Sequence, residues 1–225
     1  MAQLTLDFGH RAALGREDFL LMPENAEAVA WIDRWPDWPT STLAIYGPAG
    51  CGKSHLVQVF AKKAGAGVVA PRDLTVENAG DTVSRHPALA LEDGDRVPDS
   101  RALLHLFNVA KERGVFLLLT AREPPARWPF QLADLRSRMA TVPAVAIASP
   151  SDEMVQALLV KLFADRQIAV APDVIAYLVR HMDRSFAAAR AVVARADTDS
   201  LAGKRPVTIP LVRGILEATQ NPADG

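Results

Sequence analysis

The octapeptide Gly47-Pro48-Ala49-Gly50-Cys51-Gly52-Lys53-Ser54 occupies every fixed position of the phosphate-binding pattern Gly-x-x-x-x-Gly-Lys-Ser/Thr. It follows an apolar, strand-like run, Thr42-Leu43-Ala44-Ile45-Tyr46, and opens a helix-like one that begins at His55, which is the context the pattern requires. Glycines let the backbone curl until successive N–H groups point at phosphate oxygens, and the helix N-terminus adds its positive end. Lys53 supplies a point charge, and the Ser54 hydroxyl can ligate Mg²⁺. A nucleoside di- or triphosphate is the implied ligand, held by residues 47–55.

A second group belongs with this loop. Ala88-Leu89-Ala90-Leu91 is an apolar run that ends in two carboxylates, Glu92 and Asp93. Acids at the end of a neighbouring strand hold Mg²⁺ and polarise water in nucleotide-hydrolysing proteins, so Glu92 joins Ser54 as a metal-ligand candidate and Asp93 stands beside it. The first acid is Glu rather than the usual Asp. Its longer side chain moves the carboxylate by one C–C bond, and a misplacement of about 1 Å can cost roughly 10²-fold in rate. Weak or absent intrinsic hydrolysis is the expectation.

The elements that must carry these groups are legible in outline. Strand candidates at 43–46, 67–70, 88–91, 115–120 and 143–147 alternate with helical runs, which implies a parallel sheet covered on both faces and a ligand at the C-terminal strand ends. A helix with apolar spacing at Ala26, Val29 and Ala30 precedes them and stops before Pro36. After Ser149 the pattern is helical throughout. Ser151 is placed to cap a helix bearing Met154, Leu158, Leu159, Leu162 and Phe163. A second helix runs from Pro172 to about Met182, Asp183-Arg184-Ser185 breaks it, and a third carries Phe186, Ala189, Val192 and Val193. A last helix starts near Pro210 and ends near Thr219. The expected organisation is an arm over residues 1–16, an α/β core over 17–149, a helical domain over 150–219 and a tail over 220–225.

With 225 residues, 49% of them hydrophobic, the chain can bury one full α/β core and a smaller unit. Its 25 basic and 26 acidic residues give a net charge of -1, so nothing in the global charge favours nucleic acid, and any such contact has to be local or indirect. The one cysteine, Cys51, lies in the phosphate loop and leaves no intrachain disulfide, as suits a reducing compartment. No apolar run reaches membrane-spanning length and no leader pattern opens the sequence, so a cytoplasmic protein without membrane contact is expected.

Gln3-Leu4-Thr5-Leu6-Asp7-Phe8 alternates polar and apolar residues. On pattern alone it is a short edge strand. It also resembles the bacterial sliding-clamp-binding hexapeptide, in which the Gln hydrogen-bonds at a pocket mouth and the apolar residues fill the pocket, so Gln3, Leu4, Leu6 and Phe8 are partner-binding candidates.

Taken in order, the phosphate loop, Leu91-Glu92-Asp93, Thr120 before Glu123-Pro124-Pro125, Leu135-Arg136-Ser137-Arg138-Met139 and Met182-Asp183-Arg184-Ser185 resemble the AAA+ ATPases, and more narrowly the AAA+ module of the DnaA replication initiators. The resemblance covers roughly residues 17 to 219. It implies an α/β AAA+ core with a parallel sheet, a smaller all-helical C-terminal lid, and ADP or ATP with Mg²⁺ as the cofactors. It further implies that Arg138 projects into a neighbouring subunit's nucleotide site as a catalytic finger, and that Arg184 reaches the chain's own phosphates. In isolation Arg136 and Arg138 read better as solvated charges on a surface helix, and only the ordered motifs favour the finger; Arg184, at a break between helices, is placed to point inward. One position departs from the family: Arg122 stands where the initiators keep a polar or acidic residue, which again argues against efficient turnover.

DnaA initiators carry a helix-turn-helix domain after the lid, and this sequence leaves no room for one. Combined with the clamp-like peptide, that resembles the branch of DnaA-related proteins that ride the DNA polymerase III sliding clamp and inactivate DnaA. The partners so implied are DnaA, the clamp and, through the clamp, DNA; a homo-oligomer is left open. Two alternatives remain: a stand-alone ATPase or helicase loader, and an adaptor that recruits the initiator without touching the clamp.

Overall fold

The fold is that of a computed structural model, which describes Leu21, residues 23–203 and residues 205–220. The arm over residues 1–16, with Gln3, Leu4, Leu6 and Phe8, lies outside the described residues. What is described divides into two compact units, one of residues up to Pro48 with Gly52–Ala148, the other of Ala49–Cys51 with residues from Ser149 onward.

The first unit is built on a five-stranded parallel sheet in the order β2-β3-β4-β1-β5. Its strands are β1 (Thr42–Tyr46), β2 (Gly67–Val69), β3 (Ala88–Leu91), β4 (Phe116–Ala121) and β5 (Ala144–Ala146). Strands β1, β3 and β4 are almost wholly buried, as parallel strands with both faces covered must be. Side chains alternate across the sheet: Ala44, Leu89, Leu91, Leu117 and Leu119 join one apolar cluster with α3 (Val76–Ser84), α4 (Ser100–Glu112) and α5 (Ala133–Met139). The intervening residues face the other way, where α1 (Ala26–Arg34) touches β5, and α2 (Lys53–Ala64) touches β2, β3 and β4. Trp38 stacks on Phe60 of α2, with ring centroids 5.4 Å apart, and closes one edge of that layer.

All five expected strands are present; β3 has the expected bounds, and the other four have shifted ends. β2 stops at Val69 because Pro71 opens a short 3₁₀ turn. β5 begins after Pro143, which has no N–H for the ladder but whose carbonyl accepts from the Ala44 N–H at 2.9 Å. β4 runs one residue past Thr120, because Ala121 pairs with Tyr46 and its carbonyl accepts the Gly47 N–H at 3.2 Å.

The second unit is helical: α6 (Asp152–Asp165), α7 (Pro172–His181), α8 (Phe186–Gly203) and α9 (Ile209–Gln220). Ser151 caps α6 as expected, its hydroxyl accepting the Met154 N–H at 3.3 Å. α6 lies against α7 and α8, and α9 against the same two. Their shared core comes from Met154, Leu158, Leu159, Phe163, Ile175, Leu178, Val193 and Val212. The tip of the phosphate loop belongs to this unit: the Phe186 N–H, first in α8, donates to the Gly50 carbonyl at 3.0 Å.

Candidate functional site

The loop after β1 has the backbone its glycines permit. Gly50 has φ +73° and is packed so closely that a Cβ there would lie 2.4 Å from the Ser185 Cβ, so two independent reasons require glycine. Gly52, at φ 109°, is the left-handed residue from which α2 starts. Lys53 is 8% exposed, and its ammonium donates to the carbonyls of Gly47 and Pro48, each at 2.7 Å. The charge that would face a phosphate is thereby held over the loop. Ser54 is exposed at the start of α2, His55 half-buried in the same turn, and Cys51 buried.

The acids stand where parallel topology puts them, at the C-terminal end of β3. Glu92 is anchored by its own N–H, which donates to the Val69 carbonyl at 3.1 Å, and its Oε1 is buried without a hydrogen-bond partner among the described residues. Orphaned buried carboxylate oxygens are costly, and a bound water or cation would satisfy this one. Among the described residues no group of three or more His, Cys, Asp or Glu could hold a metal ion. Mg²⁺ in nucleotide sites takes only one or two oxygens from the protein and the rest from phosphate and water, so the chemistry of Ser54 and of the unpartnered Glu92 Oε1 suits it without a cage.

Thr120 is a residue that sequence reasoning placed but gave no task. Its buried hydroxyl accepts the Asp93 N–H at 3.2 Å and ties the acid-bearing turn to β4. Asp93 itself is left-handed, with φ 44° and ψ 48°, a conformation that costs a non-glycine residue about 1–3 kcal/mol and recurs at functional sites. Arg122, the departure, is exposed just after β4.

The two arginines are both held by carboxylates. Arg138, in the last turn of α5, donates from Nε to Asp134 Oδ1 at 3.1 Å and from Nη2 to Oδ2 at 3.3 Å. The side chains are 34% and 53% exposed. Arg184 makes a similar fork to Asp152 at the start of α6, with Nε–Oδ1 2.9 Å and Nη2–Oδ2 3.1 Å, at 65% and 47% exposure. Exposed pairs of this kind contribute about 0.2–1 kcal/mol, so neither carboxylate holds its arginine strongly. Arg136, the neighbouring candidate, is exposed and has no ion pair among the described residues.

Residues 152–216 match the family model described as Hda, lid domain. The fold matches domain III of the replication initiation protein DnaA from Thermotoga maritima, with a TM-score of 0.75 at 16% identity over 89% of this chain and 94% of that one. The chain thus joins an Hda-type lid to the fold of DnaA domain III. Two further solved structures share the fold. AMPPCP-bound DnaA from Aquifex aeolicus gives a TM-score of 0.69 at 18% identity, over 82% of this chain and 65% of that chain. The RuvB Holliday junction branch migration motor of Thermotoga maritima gives 0.67 at 14% identity, over 87% and 66%. The chain thus spans about two thirds of each of these longer proteins. Among its described residues no helix is long and apolar enough to cross a membrane.

If residues 47–54 are the nucleotide site, Lys53→Ala leaves the β-phosphate countered only by backbone dipoles. ADP affinity measured by calorimetry should fall at least about tenfold, or roughly 1.4 kcal/mol. Unchanged affinity would place the nucleotide elsewhere.

Proposed function

We propose that this protein is a regulator of replication initiation that binds ADP or ATP in the phosphate loop, docks on the sliding clamp through Gln3–Phe8, and stimulates ATP hydrolysis by DnaA through Arg138 in trans. The observation that carries the reading is the Hda-type lid over residues 152–216, joined to a chain with the fold of DnaA domain III. An AMPPCP complex among the structural neighbours supports an adenine nucleotide for this loop. Hydrolysis takes place in DnaA's own site, to which Arg138 contributes charge where charge develops on the transferred phosphoryl group. Glu92 and Arg122, which differ from the family's usual residues, are consistent with an activator that turns over little nucleotide itself. Clamp docking concentrates the regulator near newly copied DNA, so pairwise contacts with DnaA need not be strong.

The test is to mix the protein with ATP-loaded DnaA, with and without DNA-loaded clamp, and to follow phosphate release. Release should accelerate when all components are present and stay at a trace level with the protein alone. Robust turnover by the protein alone, rising with its concentration, would instead identify a self-assembling ATPase.

A further inference from the structure

The helical unit carries a cluster that the nucleotide site does not use. At the end of α7, the His181 ring stacks on Tyr177, with centroids 4.1 Å apart and planes 21° from parallel. The His181 Nδ1–H donates to the Tyr177 carbonyl at 2.8 Å and fixes the ring in that pose. From α9, Arg213 donates through Nε to the Tyr177 hydroxyl at 3.3 Å, with its guanidinium carbon 5.7 Å from the ring centroid. Arg180 lies beside His181 in the same turn. Arg180, His181 and Arg213 are all exposed, and none forms an ion pair among the described residues. Arg138, Arg166, Arg184 and Arg195, by contrast, each hold a carboxylate. Glu217, one turn beyond Arg213 on α9, is the acid nearest to it on that helix and does not pair with it.

Arg180 also complements the negative end of α7. That role requires neither the His181–Tyr177 stack nor a second guanidinium delivered from another helix. What the cluster offers is the exposed His181 ring stacked on Tyr177, with Arg213 held at the Tyr177 hydroxyl and Arg180 in the same turn of α7, neither arginine having an ion pair among the described residues. A ligand complementary to it is planar and anionic at once, and single-stranded nucleic acid is the polymer that repeats those two features at every residue. We propose that this α7–α9 face binds single-stranded nucleic acid, one base extending the Tyr177–His181 stack and the adjoining phosphates pairing with Arg180 and Arg213. With a net charge of -1 the rest of the chain adds no general attraction, so binding is weak and depends on this patch.

The test uses the full chain and a fluorescein-labelled single-stranded oligothymidylate, followed by anisotropy at low salt. Two phosphate contacts predict that log affinity falls with log salt at a slope of about -1.4. Arg180→Ala or Arg213→Ala should each weaken binding at least about fivefold and reduce that slope by about 0.7. His181→Ala should weaken it at least about fivefold with the slope retained, and His181→Phe should restore it. ADP affinity should be unchanged in every variant, which separates this site from the phosphate loop. No binding by the parent chain, or binding that these substitutions leave intact, would overturn the proposal. So would equal competition by duplex DNA or by polyglutamate, since either would reduce the patch to a general polyanion surface.

Discussion

Arg138→Ala should leave folding, ADP affinity and clamp association at parental levels while reducing the stimulation of DnaA's ATPase by about 10³-fold or more, the range in which a trans arginine finger acts. The geometry explains both halves. Among the described residues Arg138 pairs with Asp134 alone, one turn back on the same short helix, in a pair exposed enough to contribute about 0.3–0.5 kcal/mol. Losing it barely disturbs the fold. In a partner's closed site the same guanidinium would face charge developing in a water-poor environment, where a fixed cation is far more effective than at a surface. Arg138→Lys should rescue poorly, because an ammonium lacks the planar fork that now grips both Asp134 oxygens. The control is Arg136, two residues away and without an ion pair among the described residues. If phosphate release with Arg138→Ala equals the parent's while Arg136→Ala abolishes it, the finger is Arg136. If neither substitution matters, the regulatory reading fails.

How much of this arrangement the sequence showed depends on the range of the interaction. The strands are legible because a parallel strand buried on both faces must be continuously apolar, as Ala88–Leu91 and Leu117–Leu119 are. The start of α6 is legible because a cap is a local event between Ser151 and Met154. Even the Asp134–Arg138 pair lies in the i,i+4 pattern and was available to be read. The Asp152–Arg184 fork was not, since its members are 32 residues apart and meet only when α6 packs beside the break between α7 and α8. The same holds for Thr120 and Asp93, brought together by the pairing of β3 with β4. The left-handed backbone at Asp93 had only a weak signal, the tolerance of Asp for that region. The cluster on α7 and α9 is illegible in the sequence for the same reason: Tyr177 and Arg213 are 36 residues apart and meet only when the two helices pack.

The arm is the part of the reading that rests on sequence alone, and it carries the other large effect. Leu6 and Phe8, seated in a clamp pocket, would each contribute about 1.5–3 kcal/mol of apolar burial. Replacing both with Ala should therefore weaken clamp association by roughly 10³-fold, measured by surface plasmon resonance on immobilised clamp. Gln3→Ala should cost less, since one neutral hydrogen bond is worth about 0.5–1.5 kcal/mol. The thermal unfolding midpoint decides between the two readings of this segment. An anchor contributes nothing to the core, so the midpoint stays near the parent's while clamp binding is lost; an edge strand reverses both, lowering the midpoint and leaving clamp binding intact. DnaA stimulation supplies a further check, because the anchor acts only by raising local concentration. The Leu6→Ala/Phe8→Ala protein should still stimulate DnaA when added in large excess, whereas no excess should rescue Arg138→Ala, which lacks the charge itself.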